Sequence, residues 1–173
     1  MELILQSFDN ILDLNNSFKE VVLLSLYVSV LATIISSIIS IYLSSYMAIE
    51  NFSGKNTITL IFNSLMSLPP VVVGLILYII FSSSGVLGFM DLLYSPQIMI
   101  IAQFIIITPI IISLSLKSLN DRYNLLDDYL FSLNASKNKI RRTIIYESRY
   151  DLLIIVITGL SRALSEVGAV IIV

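Results

Sequence analysis

The stretch VVLLSLYVSVLATIISSIISIYLSSYMAI, Val21–Ile49, decides the fold, because it holds no charged side chain between Glu20 and Glu50. A helix rises 1.5 Å per residue, so about 20 apolar residues cross the roughly 30 Å hydrocarbon core of a bilayer. This run has residues to spare. Two more follow the same pattern, uncharged from 56 to 90 between Lys55 and Asp91, and from 92 to 116 between Asp91 and Lys117. Ser82-Ser83-Ser84-Gly85 and Gly88 mark a turn-rich connection that reaches to Pro96, which leaves spans at 57–81 and 97–116. A fourth apolar stretch covers 152–173 and is interrupted by Arg162 and Glu166. The expected fold class is all-α: a polytopic transmembrane helical bundle forming one domain over 1–173, with spans at 21–49, 57–81, 97–116 and 152–173.

Composition points the same way. Of 173 residues, 57% are hydrophobic and 13% charged, and the mean hydropathy of +0.93 exceeds what a water-soluble domain can carry. With no Cys and no His, the chain has no disulfide, thiolate or imidazole metal site, Cys nucleophile or Ser-His-Asp relay. No metal and no cofactor is expected. The formal charge of −2 gives no basic field for nucleic acid.

The first residues do not read as a signal peptide, since Glu2 stands where basic residues belong. Ile4, Phe8, Ile11 and Leu12 fall at helical spacing opposite Asp9 and Asp13, so residues 1–19 are expected to form an amphipathic segment on the outer membrane surface. Basic residues orient the spans. With the N-terminus outside, Lys55, Lys117, Arg122, Lys137, Lys139, Arg141, Arg142 and Arg149 are cytoplasmic and only Lys19 is outside. The expected location is the inner (cytoplasmic) membrane, multi-pass.

The 117–150 segment is too polar for membrane and too patterned for a plain linker. Tyr123, Leu126, Leu130 and Leu133 line one face of a short helix while Asp127 and Asp128 face elsewhere. Asn134 tolerates the left-handed conformation that closes a helix, and Ser136 offers a cap to a second helix carrying Ile140 and Ile144, with Lys137, Lys139, Arg141 and Arg142 outward. A helix, a tight turn and a helix facing the cytoplasm make a docking device.

The run Asp128-Tyr129-Leu130, Ser132-Leu133-Asn134-Ala135-Ser136-Lys137 and Ile144 resembles the Glu-Ala-Ala loop of binding-protein-dependent ABC transporter permeases. Asp128 stands for that family's Glu, Tyr129-Leu130 for its two Ala, Asn134 for its Gly and Glu147 for its closing Pro. Leu68-Pro69-Pro70-Val71-Val72-Val73-Gly74-Leu75 and Ser161-Arg162-Ala163-Leu164-Ser165-Glu166-Val167-Gly168-Ala169-Val170 are more specific, and together resemble permeases of the tungstate type. Molybdate and sulfate relatives generally read Glu-Phe-Gly-Ala-Thr where this chain has Glu166-Val167-Gly168-Ala169-Val170. The resemblance implies a non-catalytic permease subunit of an ATP-driven importer, with coupling through Leu126, Asp128, Leu130, Leu133, Asn134, Ala135 and Ser136. It implies as partners a separate ATPase subunit, an extracytoplasmic oxyanion-binding protein, a second permease copy and the lipid bilayer. Family members continue into a further loop and a fifth span, so a chain lacking its final span is also expected. The alternatives are a molybdate or sulfate permease, a secondary transporter or channel, or an inactive truncated fragment. Against an ATPase on this chain stands the lack of a Gly-rich phosphate loop ending in Lys-Ser or Lys-Thr.

An oxyanion crossing the membrane must exchange water for hydrogen-bond donors without meeting a full countercharge that traps it. Pro69, Pro70 and Pro109 each remove a donor and kink a helix at mid-depth, and Ser64, Ser67 and Thr108 beside them either satisfy the backbone or face a pathway. The stripe Ser25, Ser29, Thr33, Ser36, Ser40 and Ser44 favours close helix packing over lining a route. Arg162 and Glu166, four apart, are either a mutually satisfied pair or a device that attracts the anion and keeps it from binding too tightly. The candidate pathway is therefore Ser67, Pro69, Pro70, Thr108, Pro109, Arg162 and Glu166.

Overall fold

The structure, a computed structural model, describes residues 16–132 and 134–166. Residues 1–15, Leu133 and the stretch 167–173 lie outside the described residues, and with them most of the expected surface segment and the end of the fourth span. The described residues are helical, with no strand among them. Six α-helices follow one another: α1 (Asn16–Ile49), α2 (Lys55–Leu65), α3 (Pro70–Phe81), α4 (Pro96–Ser132), α5 (Lys137–Glu147) and α6 (Arg149–Ser165). Gly88–Met90 forms a 3₁₀ turn between α3 and α4.

Two of these helices, over Lys19–Ile49 and Pro96–Leu130, are long and apolar enough to cross a membrane. The 57–81 stretch differs from expectation. It is two helices bent by 98° at Met66–Pro69, each too short to span roughly 30 Å alone at 1.5 Å per residue. Consecutive prolines explain the break. Pro70 bars Pro69 from the helical region, so Pro69 is extended at φ −65°, ψ 129°, and Pro70 then suits the first position of a new helix, where its missing N–H costs nothing.

The polar segment after 116 also differs. No Gly or Pro interrupts it, so α4 continues for 37 residues through Ser132, and the helix expected near Tyr123 is its extension. Asn134 closes α4 at φ 48°, with the Ala135 N–H donating to the Leu130 carbonyl at 3.3 Å. Ser136 is extended and precedes α5, but its hydroxyl makes no capping bond. Ser148 interrupts the helix: its N–H donates to the Ile144 carbonyl and its carbonyl accepts from the Leu152 N–H, both at 2.9 Å, but Arg149, Tyr150 and Asp151 make no such bonds to Ile145, Tyr146 and Glu147, so α5 and α6 are two helices joined at Ser148.

The main core gathers α1, α4, α5 and α6 around Ala32, Met47, Ile107, Ile111, Leu119, Ile144, Leu152 and Ala163. A second cluster packs α3 onto the start of α4 through Val73, Leu77, Phe81, Ile98, Ala102 and Ile106. Contacts between α1 and α4 pair Ser29 with Gln103 and Ser36 with Thr108, so the two helices run parallel. The chain between them, 50–95, must therefore return from one end of the pair to the other. α6 runs antiparallel to α4, pairing Ala163 with Gln103 and Asp151 with Ser118.

Gly159 sets the spacing of α6 against α4. A Cβ there would lie 2.9 Å from Cδ1 of Ile111 and 3.1 Å from Cγ2 of Ile107, two wholly buried side chains. Gly159→Leu is expected to destabilise the chain by about 1–3 kcal/mol through overpacking. Gly159→Ala should cost less, because about 0.5–1 kcal/mol of helix propensity offsets its milder clash. Thermal unfolding in detergent micelles checks both, and a Leu variant as stable as the parent would show that the helices do not depend on this close approach.

Candidate functional site

The serine stripe of α1 forms a packed seam. Ser29, Thr33, Ser36, Ser40 and Ser44 are buried, and small side chains there let the backbones of α1 and α4 approach. Thr108 Oγ1 donates to the Phe104 carbonyl at 2.6 Å, which uses its only hydrogen, so in the 3.0 Å contact with Ser36 it is Ser36 that donates. Ser40 donates to the Thr108 carbonyl at 3.4 Å. Thr108, next to Pro109, thus joins α1 to α4 through hydroxyls.

Gln103 is a residue that sequence reasoning missed. It is buried, and its Nε2 donates to Ser29 Oγ at 3.2 Å and to the Ala163 carbonyl at 3.3 Å, tying α1, α4 and α6 at one point. The signal was present, since it is the lone amide side chain between Ile98 and Leu116. Its Oε1 is buried with no partner among the described residues, as is Nε of Arg162, the residue preceding Ala163.

Arg162 and Glu166 do pair, Nη2 to Oε1 at 3.2 Å, with side chains 41% and 22% exposed. Glu166 ends α6, its N–H donating to the Arg162 carbonyl at 3.2 Å. Ser67 and Pro69 are exposed on the elbow between α2 and α3, and Pro70 is half-buried. None of the seven candidate pathway residues lines the two grooves that flank α4. A groove of about 340 Å³ between α2 and α4 is lined by Thr59, Asn63, Met66, Lys117, Asn120 and Asp121, and one of about 390 Å³ between α4 and α6 by Lys117, Ser118, Asp121, Arg122, Leu125 and Asp151.

The coupling candidates divide by exposure. Leu130 is only 5% exposed and Leu126 is half-buried, while Tyr123 packs against the main core. Leu130 is thus covered within the chain itself, while Leu126 keeps part of its surface open. Burial together with the Asp127 carboxylate, which accepts from it, pushes the Tyr123 phenol above its ordinary range. Asp128, Asn134 and Ser136 are exposed and Ala135 is half-buried, whereas Leu133 lies outside the described residues. Among the described side chains, Leu125, 77% exposed, and Tyr129, 63% exposed, are large apolar groups that this part of α4 leaves open.

Three contacts fix α5 beside the end of α1. Lys137 Nζ meets Glu50 Oε2 at 2.6 Å, and the Arg141 guanidinium lies 5.9 Å and 5.5 Å from the ring centres of Tyr42 and Tyr46. Ile144 is wholly buried beneath them. A push on the α4–α5 turn would reach α1 through these contacts.

No family model matches the chain. It is 40% identical over 177 residues to the tungstate uptake system permease protein TupB of Peptoclostridium acidaminophilum, across 100% of this chain and 78% of that protein. It is 33% identical over 162 residues to a probable anion ABC transporter permease protein of Haloferax volcanii, across 93% of this chain and 70% of that one. To TupB of Campylobacter jejuni it is 38% identical over 125 residues, 70% of this chain and 51% of that one. Identity at this level over nearly the whole chain, carried on apolar helices long enough to cross a bilayer, shows that the chain belongs to the family of ABC transporter permeases that includes the tungstate uptake permeases.

Proposed function

We propose that the chain is the membrane-spanning permease subunit of an ATP-driven importer whose substrate is tungstate. The observation that carries this is the 40% identity to a tungstate uptake permease over all of this chain. ATP hydrolysis belongs to a separate subunit, consistent with the missing phosphate loop. An extracytoplasmic binding protein delivers the anion, and a second copy of the permease completes the path in the cytoplasmic membrane.

The orientation has the N-terminus outside and α1, the bent α2–α3 pair, α4 and α6 as four crossings. The parallel run of α1 and α4 supports this, because the chain between them has to return across the bilayer. In this arrangement the start of α3, after the elbow Ser67–Pro70, lies within the second crossing, where the positive dipole end of the helix favours an anion. In this scheme Ser67, Pro69, Pro70, Arg162 and Glu166 line the path, and Thr108 with Pro109 holds the helix that backs it.

Proteoliposomes holding the assembled transporter and its binding protein are expected to accumulate tungstate only when ATP is supplied. Uptake without ATP would identify a secondary transporter, and stronger uptake of molybdate or sulfate would reassign the substrate. Topology is checked separately. Single Cys residues at Ser83 and Asn138 should be labelled from opposite faces, Ser83 from outside, and labelling of both from one face would overturn the four-crossing arrangement.

A further inference from the structure

The junction of α5 and α6 carries a cationic and aromatic cluster that the transport scheme does not use. The guanidinium of Arg149 lies 4.3 Å from the ring centre of Tyr146 and 4.7 Å from that of Tyr150, and its Nη1 donates to the Tyr146 carbonyl at 2.9 Å. Two rings and a carbonyl hold the fork in one orientation. Arg149 makes no ion pair among the described residues, and both tyrosines are exposed. Neighbouring charges are accounted for: Asp151 pairs with Arg122 at 3.6 Å, Lys137 with Glu50, and Arg141 sits over Tyr42 and Tyr46, while Glu147 and Lys139 are exposed.

Within α6, Tyr150, Leu153 and Ile157 recur at spacings of three and four and share one stripe, with Arg149 at the start of the helix holding Tyr146 of α5 beside it. Leu153 and Ile157 are exposed. The surface thus passes from the Arg149 guanidinium, through two amphipathic rings, to bare aliphatic side chains. An anionic phospholipid has that same order of parts, a phosphate, a glycerol level and acyl chains.

We propose that Arg149, oriented by Tyr146 and Tyr150, binds the headgroup phosphate of an anionic phospholipid whose acyl chains lie along Leu153 and Ile157. The site rests on the chain's place in a membrane and is independent of which anion is transported. A planar fork held in this way offers its remaining N–H groups to two phosphate oxygens at once, which an ammonium group does not.

The test titrates the full chain in neutral detergent micelles with phosphatidylglycerol or phosphatidylcholine of equal acyl length, and reads bound lipid by native mass spectrometry. Phosphatidylglycerol is expected to bind about tenfold more tightly, because its phosphate charge is not offset by a choline cation beside the guanidinium. Arg149→Gln should erase that preference, and Arg149→Lys should retain only part of it. Glycerol 3-phosphate, which lacks acyl chains, should not compete at equal concentration. Equal binding of the two lipids by the parent chain overturns the proposal without any variant. A preference that survives Arg149→Gln also overturns it, as does full competition by glycerol 3-phosphate, which would mark a site for soluble phosphate. Loss of bound lipid when the ATPase subunit assembles would assign the stripe to that partner instead. Thermal unfolding of each lipid-free variant verifies that Arg149→Gln and Arg149→Lys are folded when compared.

Discussion

Leu125→Asp is expected to abolish co-purification of the ATPase subunit while leaving the permease chain as stable as the parent. Leu125 is 77% exposed on the extension of α4 and Tyr129, one turn on, is also open, so the chain itself leaves both without cover. An exposed leucine carries no internal packing to lose, and its replacement on this surface should change stability by no more than about 0.5 kcal/mol. At a docked interface the result is different, since a carboxylate forced against apolar surface must be neutralised or expelled. Leu130→Asp is the contrasting variant. Leu130 is 5% exposed, so truncating it forfeits about 2–5 kcal/mol of packing and the added carboxylate costs more, which should unfold the α4–α5 region before any partner is involved. Pull-down of the ATPase and thermal unfolding, measured on the same preparations, separate the two outcomes. A Leu125→Asp chain that still brings down its ATPase would remove α4 from the docking surface.

The contrast between Leu125 and Leu130 shows what periodicity conveys. Spacings of three and four reveal that a helix has an apolar face, and the stripe Tyr123, Leu126, Leu130 was legible for that reason. They do not reveal whether the cover comes from the same chain or another, because both bury the same side chains. The crossing helices were legible because uncharged runs of that length have no other stable environment. Asn134 was legible too, since tolerance of a positive φ is a property of the residue itself. The break at Pro69-Pro70 was read as a kink because a single proline in a membrane helix does only that, whereas a second proline also excludes the first from helical geometry. Gln103 escaped notice since one amide in an apolar run gives no pattern; its three-helix role depends on which carbonyl and hydroxyl the fold brings beside it.

Removing Arg162 alone, as Arg162→Gln, is expected to reduce both stability and uptake, whereas the double variant Arg162→Gln/Glu166→Met should recover stability and leave uptake more than tenfold below the parent. Magnitudes favour this outcome over a purely structural pair. A partly exposed i,i+4 ion pair contributes only about 0.3–0.5 kcal/mol, while placing an Arg or an Asp at the centre of a membrane helix costs about 2.5–3.5 kcal/mol each on insertion scales. On those figures a purely structural pair in mid-membrane would be better replaced by two apolar residues, which is the ground for comparing the single and the double variant. Removal of one partner leaves a lone charge, which accounts for the loss in the single variant, and removal of both relieves it. Stability is read by thermal unfolding and uptake by accumulation of tungstate in proteoliposomes carrying the whole transporter. If the double variant transports at the parent rate, Arg162 and Glu166 serve only to pack α6 beside Gln103, and the anion path narrows to the elbow at Ser67, Pro69 and Pro70.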